Sequence, residues 1–275
     1  CLYDVNFKCD SAPIKSHSIS ENISLNQISD HKKNVYGLDF GFGGKFSLKK
    51  IPISKASTFS GFCNAHDTKL FESFERKDFN KDKKQLFDLC YRALCLEYYH
   101  TECIKKFLHS LKLNIDNGRD ILEQLQIQMH TNSLISFYER GLNNQKIIKE
   151  KLENSFLIDR HEDTLQHFIF ELEEGYPKFL SCSCLNLEYN LNGEMIQNLD
   201  ENTKNTKNIF VNCISFNSKG YFIISWFNEN HEYALNIIDS IISDKNEIEN
   251  KIFSICFLYI HNTYINPTWY ENLNP

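Results

Sequence analysis

Flexible-chain residues are scarce in this sequence. Ten glycines and five prolines in 275 residues leave little room for long linkers or a disordered, low-complexity body. Long apolar runs are missing too. The longest, near Ile209–Phe216 and Ile252–Ile260, are of strand length, well short of the roughly 20 residues a bilayer-spanning helix requires. No membrane association is therefore expected, and no internal repeat is evident. A signal-peptide pattern is also lacking. What remains is 41% hydrophobic, 13% aromatic and 24% charged, the composition of a globular chain long enough for two or three domains.

Ten cysteines invite a disulfide reading, but their placement opposes it. Cys90, Cys95 and Cys103 sit in a helical pattern, and Cys182, Cys184, Cys213 and Cys256 in apolar, strand-like runs. Free cysteine is commonly a small buried hydrophobe, so a reducing cytoplasmic setting is expected. The net charge of −6 is uneven. Residues 1–70 hold nine Lys or Arg against six Asp or Glu, and the rest hold 21 against 30. A mildly basic head on an acidic body is compatible with DNA or RNA contact by the head.

The fold class expected is α+β in three segments. Residues 1–75 read as short strands and turns, with glycines from Gly37 to Gly44 punctuating a hairpin and a short helix over Asp67–Phe74. Residues 76–177 read as helical. One helix runs from about Lys83 to Leu111, and a second begins at Ile121 and stops near Gly141. A third covers about Gln145–Glu174, bent near residues 158–160 and ended by Gly175-Tyr176-Pro177. Residues 178–275 read as an antiparallel sheet with helices. They comprise a strand over Ser181–Tyr189, a polar loop over Asp200–Asn208 and two strands about a tight turn at Asn217–Gly220. A helix over His231–Ser243 and a strand or buried helix over Ile252–Ile260 complete them.

Chemistry concentrates at the start. Cys1, Cys9, His17, Cys63 and His66 fall within 66 residues, the last two as C-x2-H. Zinc takes four nitrogen or sulfur donors in a tetrahedron, and two short knuckles from distant positions can supply them. The expected ligands are Cys1, Cys9, Cys63 and His66, with the second pair at a helix start. Such a metal would add folding free energy that a small β-rich unit cannot obtain from burial alone.

The segments Lys15-Ser16-His17-Ser18-Ile19-Ser20 and Gly61-Phe62-Cys63-Asn64-Ala65-His66-Asp67 resemble the histidine motif and second knuckle of HNH-type, treble-clef zinc proteins. The resemblance implies a structural Zn2+, with His17 as the general base for phosphodiester cleavage. It also implies Asp67 as a helix-borne catalytic group and Mg2+ or Mn2+ as catalytic ion. Ser16 stands where that family usually carries an acidic residue. The segments Lys55–Cys63 and Asn266–Tyr270 also look like uncharacterised bacterial proteins, a resemblance that implies a phage-defence or mobile-element context.

Other readings stay open at this level. His17 can be the fourth zinc ligand in place of His66. The protein can instead be a non-enzymatic module whose zinc is structural and whose acidic body binds a protein partner. Cys1 can act as an N-terminal nucleophile. His161-Glu162 with His167 (H-E-x4-H) puts its histidines off one helical face and reads as solvated helix surface, and Cys182-x-Cys184 reads as buried packing. Trp226 is expected in the core. Trp269 and Tyr270 are expected to pack on the C-terminal sheet or form a partner patch.

Overall fold

The computed structural model describes residues 1–3, 9, 11–40, 46–157, 161–172, 177–200, 203 and 206–273. Period-two apolar residues dominate its centre. Strands β1 (Ser16–His17), β2 (Asn34–Phe40), β3 (Phe46–Pro52) and β4 (Thr58–Phe59) precede helices α1 (Asn64–Glu75), α2 (Lys83–Lys112) and α3 (Ile121–Leu157). Then come β5 (Leu165–Leu172), β6 (Phe179–Leu185), β7 (Ile209–Phe216) and β8 (Lys219–Phe227). The chain continues through α4 (His231–Ile242), α5 (Ile248–Tyr259), β9 (Thr263–Ile265) and α6 (Pro267–Leu273). Seven strands form one sheet in the order β3-β2-β9-β6-β7-β8-β5, antiparallel at every pairing. The α+β class holds.

The sheet is buried on both faces at its centre, and the alternation along β7 and β8 shows how. Phe210, Ile214, Phe216, Tyr221, Ile223 and Phe227 pack into one core with α1 and α2. Ile209, Val211, Cys213, Phe222, Ile224 and Trp226 pack into a second with α4 and α5. Every residue of β7 is accordingly buried, the signature of a strand between two helical layers. The expected turn follows β7, with Asn217 and Ser218 at φ 48° and 65°. Left-handed geometry at both central positions matches the twist of the flanking strands.

The sheet draws strands from all three segments read in the sequence: β2 and β3 from 1–75, β5 from 76–177, the others from 178–275. The glycine-rich hairpin is formed by β2 and β3, with residues 41–45 outside the described set. It joins the large sheet through β9. A separate two-stranded sheet is formed by β1 with β4, distant in sequence, pairing Ser16 with Phe59 and His17 with Thr58.

Three helical expectations are corrected. α3 does not stop at Gly141 but continues to Leu157. The position faces α2, where a Cβ would stand 3.8 Å from Thr101 Cγ2, so packing outweighs the glycine cost. The third helix does not reach residue 174, because 165–172 form β5, paired with β8 over eight residues. Apolar residues at 165, 168, 169, 170 and 172 suit either period, and a free sheet edge decided between them. His167 consequently lies in a strand, its Nδ1 2.8 Å from Ser225 Oγ, and not on a solvated helix. The side chains of His161 and Glu162 lie outside the described residues.

Ile252–Ile260, left open between strand and helix, lies within α5 and its C-terminal cap. The loop over residues 200–208 lies partly outside the described residues. The far ends of α2 and α3 extend beyond the sheet, leaving Phe107 60% and Leu122 72% exposed. Cys103 is exposed too. Cys182 is buried, and burial pushes its thiol up to about 12, as expected of a packing cysteine. Trp226 is buried in the core. Tyr270 packs against Tyr36, the ring centroids 5.0 Å apart.

Candidate metal centre and adjoining cleft

Helix α1 begins where Cys63 caps it. Cys63 has extended backbone, and its sulfur accepts from the His66 N–H at 3.5 Å. A cap residue and the third residue of the first turn lie on one side of a helix start, so C-x2-H points both donors the same way. The N-terminal segment is laid against them by backbone bonds from Leu2 N–H to Gly61 O and from Ile14 N–H to Phe62 O, each 2.7 Å. Tyr3 adds an edge-on contact to the His66 ring, centroids 5.0 Å apart.

The result is a cluster of Cys1 Sγ, Cys9 Sγ, Cys63 Sγ and one His66 ring nitrogen, all within 4.8 Å of one another. Cys1 Sγ lies 3.3 Å from His66 Nδ1, and Cys9 Sγ lies 3.4 Å from Cys63 Sγ. A tetrahedron of three sulfurs at about 2.3 Å and one nitrogen at about 2.0 Å from its centre has edges of roughly 3.5–3.8 Å, within a few tenths of an ångström of these two distances. The donor set fits a transition metal with all four positions filled by protein. Burial opposes the Cys63 thiolate, but the His66 N–H, the Cys9 thiol and the Ala65 N–H together hold its pKa below the usual thiol value. This is the direction a ligand thiolate requires. Among the described residues no other group of three or more such donors converges this closely. His17 is not among the four donors.

His17 instead lines a cavity of about 310 Å³ next to the cluster, together with Lys15, Glu21, Asp67, Glu75 and Arg92. The two catalytic candidates, His17 and Asp67, thus line one space, with Asp67 following His66 directly in α1. His17 Nε2 lies 3.2 Å from the Ile53 carbonyl and 3.5 Å from Glu21 Oε2. Both oxygens only accept from nitrogen, so Nε2 carries a hydrogen, and in the neutral tautomer that this selects Nδ1 is the acceptor.

Arg92, only 2% exposed, enters the cavity wall from α2. Its Nη1 donates to Glu75 Oε1 at 2.6 Å, and its guanidinium lies 4.3 Å from the Phe71 ring centroid. Nη2 is 3.8 Å from Asp67 Oδ1, an ion pair beyond hydrogen-bond reach. Arg92 Nε, Asp67 Oδ1 and Ser16 Oγ are buried atoms without a hydrogen-bond partner. All three residues line this cavity. Orphaned buried polar atoms are costly, and these three belong to residues of one cavity wall.

Sequence reading missed Arg92, Glu75 and Glu21. A signal for Arg92 was present: it is the lone cation in the apolar run Leu89–Leu96. Glu21 stands four residues after His17. Comparison with protein-family models, with curated proteins and with solved structures finds no match to this chain.

Proposed function

We propose that this protein is a zinc-stabilised, nucleic-acid-acting hydrolase in which the cavity beside the cysteine cluster cleaves a phosphodiester. The observation that carries the reading is the meeting of His17, Asp67 and Arg92 in one cavity. Zinc suits the donor set of three thiolates and one imidazole, and a site filled by four protein ligands is structural. The zinc would pin the start of α1 to the N-terminal segment, and so set Asp67 relative to β1 and His17. The pair Cys63 and His66 at a capped helix start, with Cys1 and Cys9 brought up from the N-terminal segment, supports the likeness to treble-clef and HNH-type proteins.

In this scheme a phosphate enters beside Arg92 and Lys15, whose charges offset that of the phosphoryl oxygens. His17, held by Ile53 and Glu21 through Nε2, takes the proton of a water through Nδ1 as the water oxygen bonds to phosphorus. The bond to the departing sugar oxygen then breaks, the oxygen keeping the electron pair and taking a proton from solvent water, while the His17 imidazolium returns its proton to solvent. Asp67 and Glu75 offer carboxylate oxygens of the kind that hold a hard cation, and Mg2+ or Mn2+ held there would supply Lewis-acid stabilisation. The positive balance of residues 1–70 favours approach of a polyanion.

A second reading, a protein-interaction module with a purely structural zinc, draws on the exposed apolar stripe of α3. Ile121, Leu122, Leu125, Met129 and Phe137 are all more than half exposed. One experiment separates the two. Supercoiled plasmid and single-stranded RNA are incubated with the zinc-loaded protein and Mg2+ or Mn2+. Cleavage is expected, and His17→Ala is expected to slow it by about 10²-fold or more at unchanged zinc content. Equal cutting by His17→Ala removes the base. Absence of both cutting and low-salt binding leaves the interaction module.

A further inference from the structure

A different cluster lies further along α2. His100 directs Nδ1 at Nε2 of His261, which stands at the corner between α5 and β9, at 2.5 Å. The ring centroids are 4.7 Å apart and the planes are inclined at 47°, so the rings meet through nitrogen and are not stacked. Two imidazole nitrogens this close cannot both carry a hydrogen. The space between them holds one proton or one cation.

Glu97 lies one turn before His100 on the same helix face. Its carboxylate accepts from Ser183 Oγ of β6 at 2.6 Å and interacts electrostatically with His261. Three elements of the fold (α2, β6 and the α5–β9 corner) therefore converge on two imidazole nitrogens and one carboxyl group, which burial holds above the usual carboxylate pKa. His261 is exposed, so the pair opens to solvent.

We propose that His100 and His261 form a second metal site, which takes a divalent transition cation of the Zn2+ or Ni2+ class. Imidazole suits these ions, and the absence of thiolates disfavours soft Cu(I). Metal–nitrogen bonds of about 2.0–2.1 Å place two such ligands about 3 Å apart. A small rotation of the exposed His261 ring reaches that separation. A bound cation favours the ionised form of Glu97, which stays with Ser183 and balances the charge from the surrounding shell. The remaining coordination positions belong to water, so this site differs in kind from the closed cysteine centre: its ion exchanges, and it can accept a further ligand.

The test uses the 275-residue chain with its cysteine centre loaded with zinc, titrated with Ni2+ by calorimetry. The wild type is expected to bind one equivalent saturably. His100→Gln and His261→Gln are each expected to weaken that binding by about tenfold or more, and His31→Gln, an exposed histidine elsewhere, to leave it unchanged. Zinc content and far-UV circular dichroism report that the variants are folded. His261 is a surface residue, so its variant keeps the test decisive if His100→Gln misfolds. No saturable nickel binding by the wild type, an unchanged isotherm in His261→Gln, or equal loss in His31→Gln would each overturn the proposal.

Discussion

Replacing Cys63 by serine separates the two jobs this residue does. Serine is among the preferred helix caps, so the α1 start that the Cys63 sulfur caps through the His66 N–H survives the change. Alanine would lose it, at about 1 kcal/mol. The metal contribution behaves differently. A ligand that binds only the folded state stabilises it by about 1.4 kcal/mol for every tenfold rise in free concentration above Kd. With free zinc at a hundredfold excess the wild type should gain about 2.7 kcal/mol, which for a chain of 275 residues raises the melting temperature by about 5 °C.

Cys63→Ser should match the wild type in chelator and show no slope with zinc, and Cys63→Ala should lie about 1 kcal/mol lower and be equally flat. The assay is thermal or urea unfolding across a series of zinc buffers. A wild-type curve that ignores free zinc, or a Cys63→Ser variant that keeps the wild-type slope, would refute the metal centre. Hydrogen exchange should localise the loss, since residues 1–3 and 11–15 are tied to the rest partly through Leu2–Gly61 and Ile14–Phe62 bonds beside the ligands.

Two further outcomes follow from the fold. Burial, with the Lys83 charge, lowers the His167 pKa to about 4. The unfolded chain therefore takes up this proton below about pH 6.5 and the folded chain does not until about pH 4. Stability is complete above 6.5 and falls through that window, by about 2 kcal/mol at pH 5. Urea titrations should show this share missing in His167→Gln, and an identical pH dependence in both proteins would contradict it. Gly141→Ala should stabilise by about 0.5–1 kcal/mol, because the new methyl meets only Thr101 Cγ2 at ordinary contact distance. A lowered urea midpoint would show that α2 and α3 pack more closely there.

The legible parts of this chain are those whose determinants are close in sequence. Cys63 and His66 are three residues apart, so a capped helix start was enough to align them. The turn at Asn217 and Ser218, the helix opened by Asp82 and the amphipathic α4 rest on similarly short-range rules. β5 was misread because its apolar spacing satisfies two periods. Only the unpaired edge of β8, supplied by residues more than forty positions later, selected the strand.

By itself, the sequence determined which side chains could act: a surplus of thiols and imidazoles near the start, a histidine in a short polar motif, and two apolar faces on the central strands. The tertiary structure decided which of them meet. Cys9 reaches Cys63 across 54 positions, Arg92 reaches the His17 cavity from another helix, and His100 finds His261 across 161. Local chemistry is written in neighbouring residues, but encounters between distant ones depend on sheet register and helix packing. Those are set by burial of the whole core, and no short window of sequence contains them.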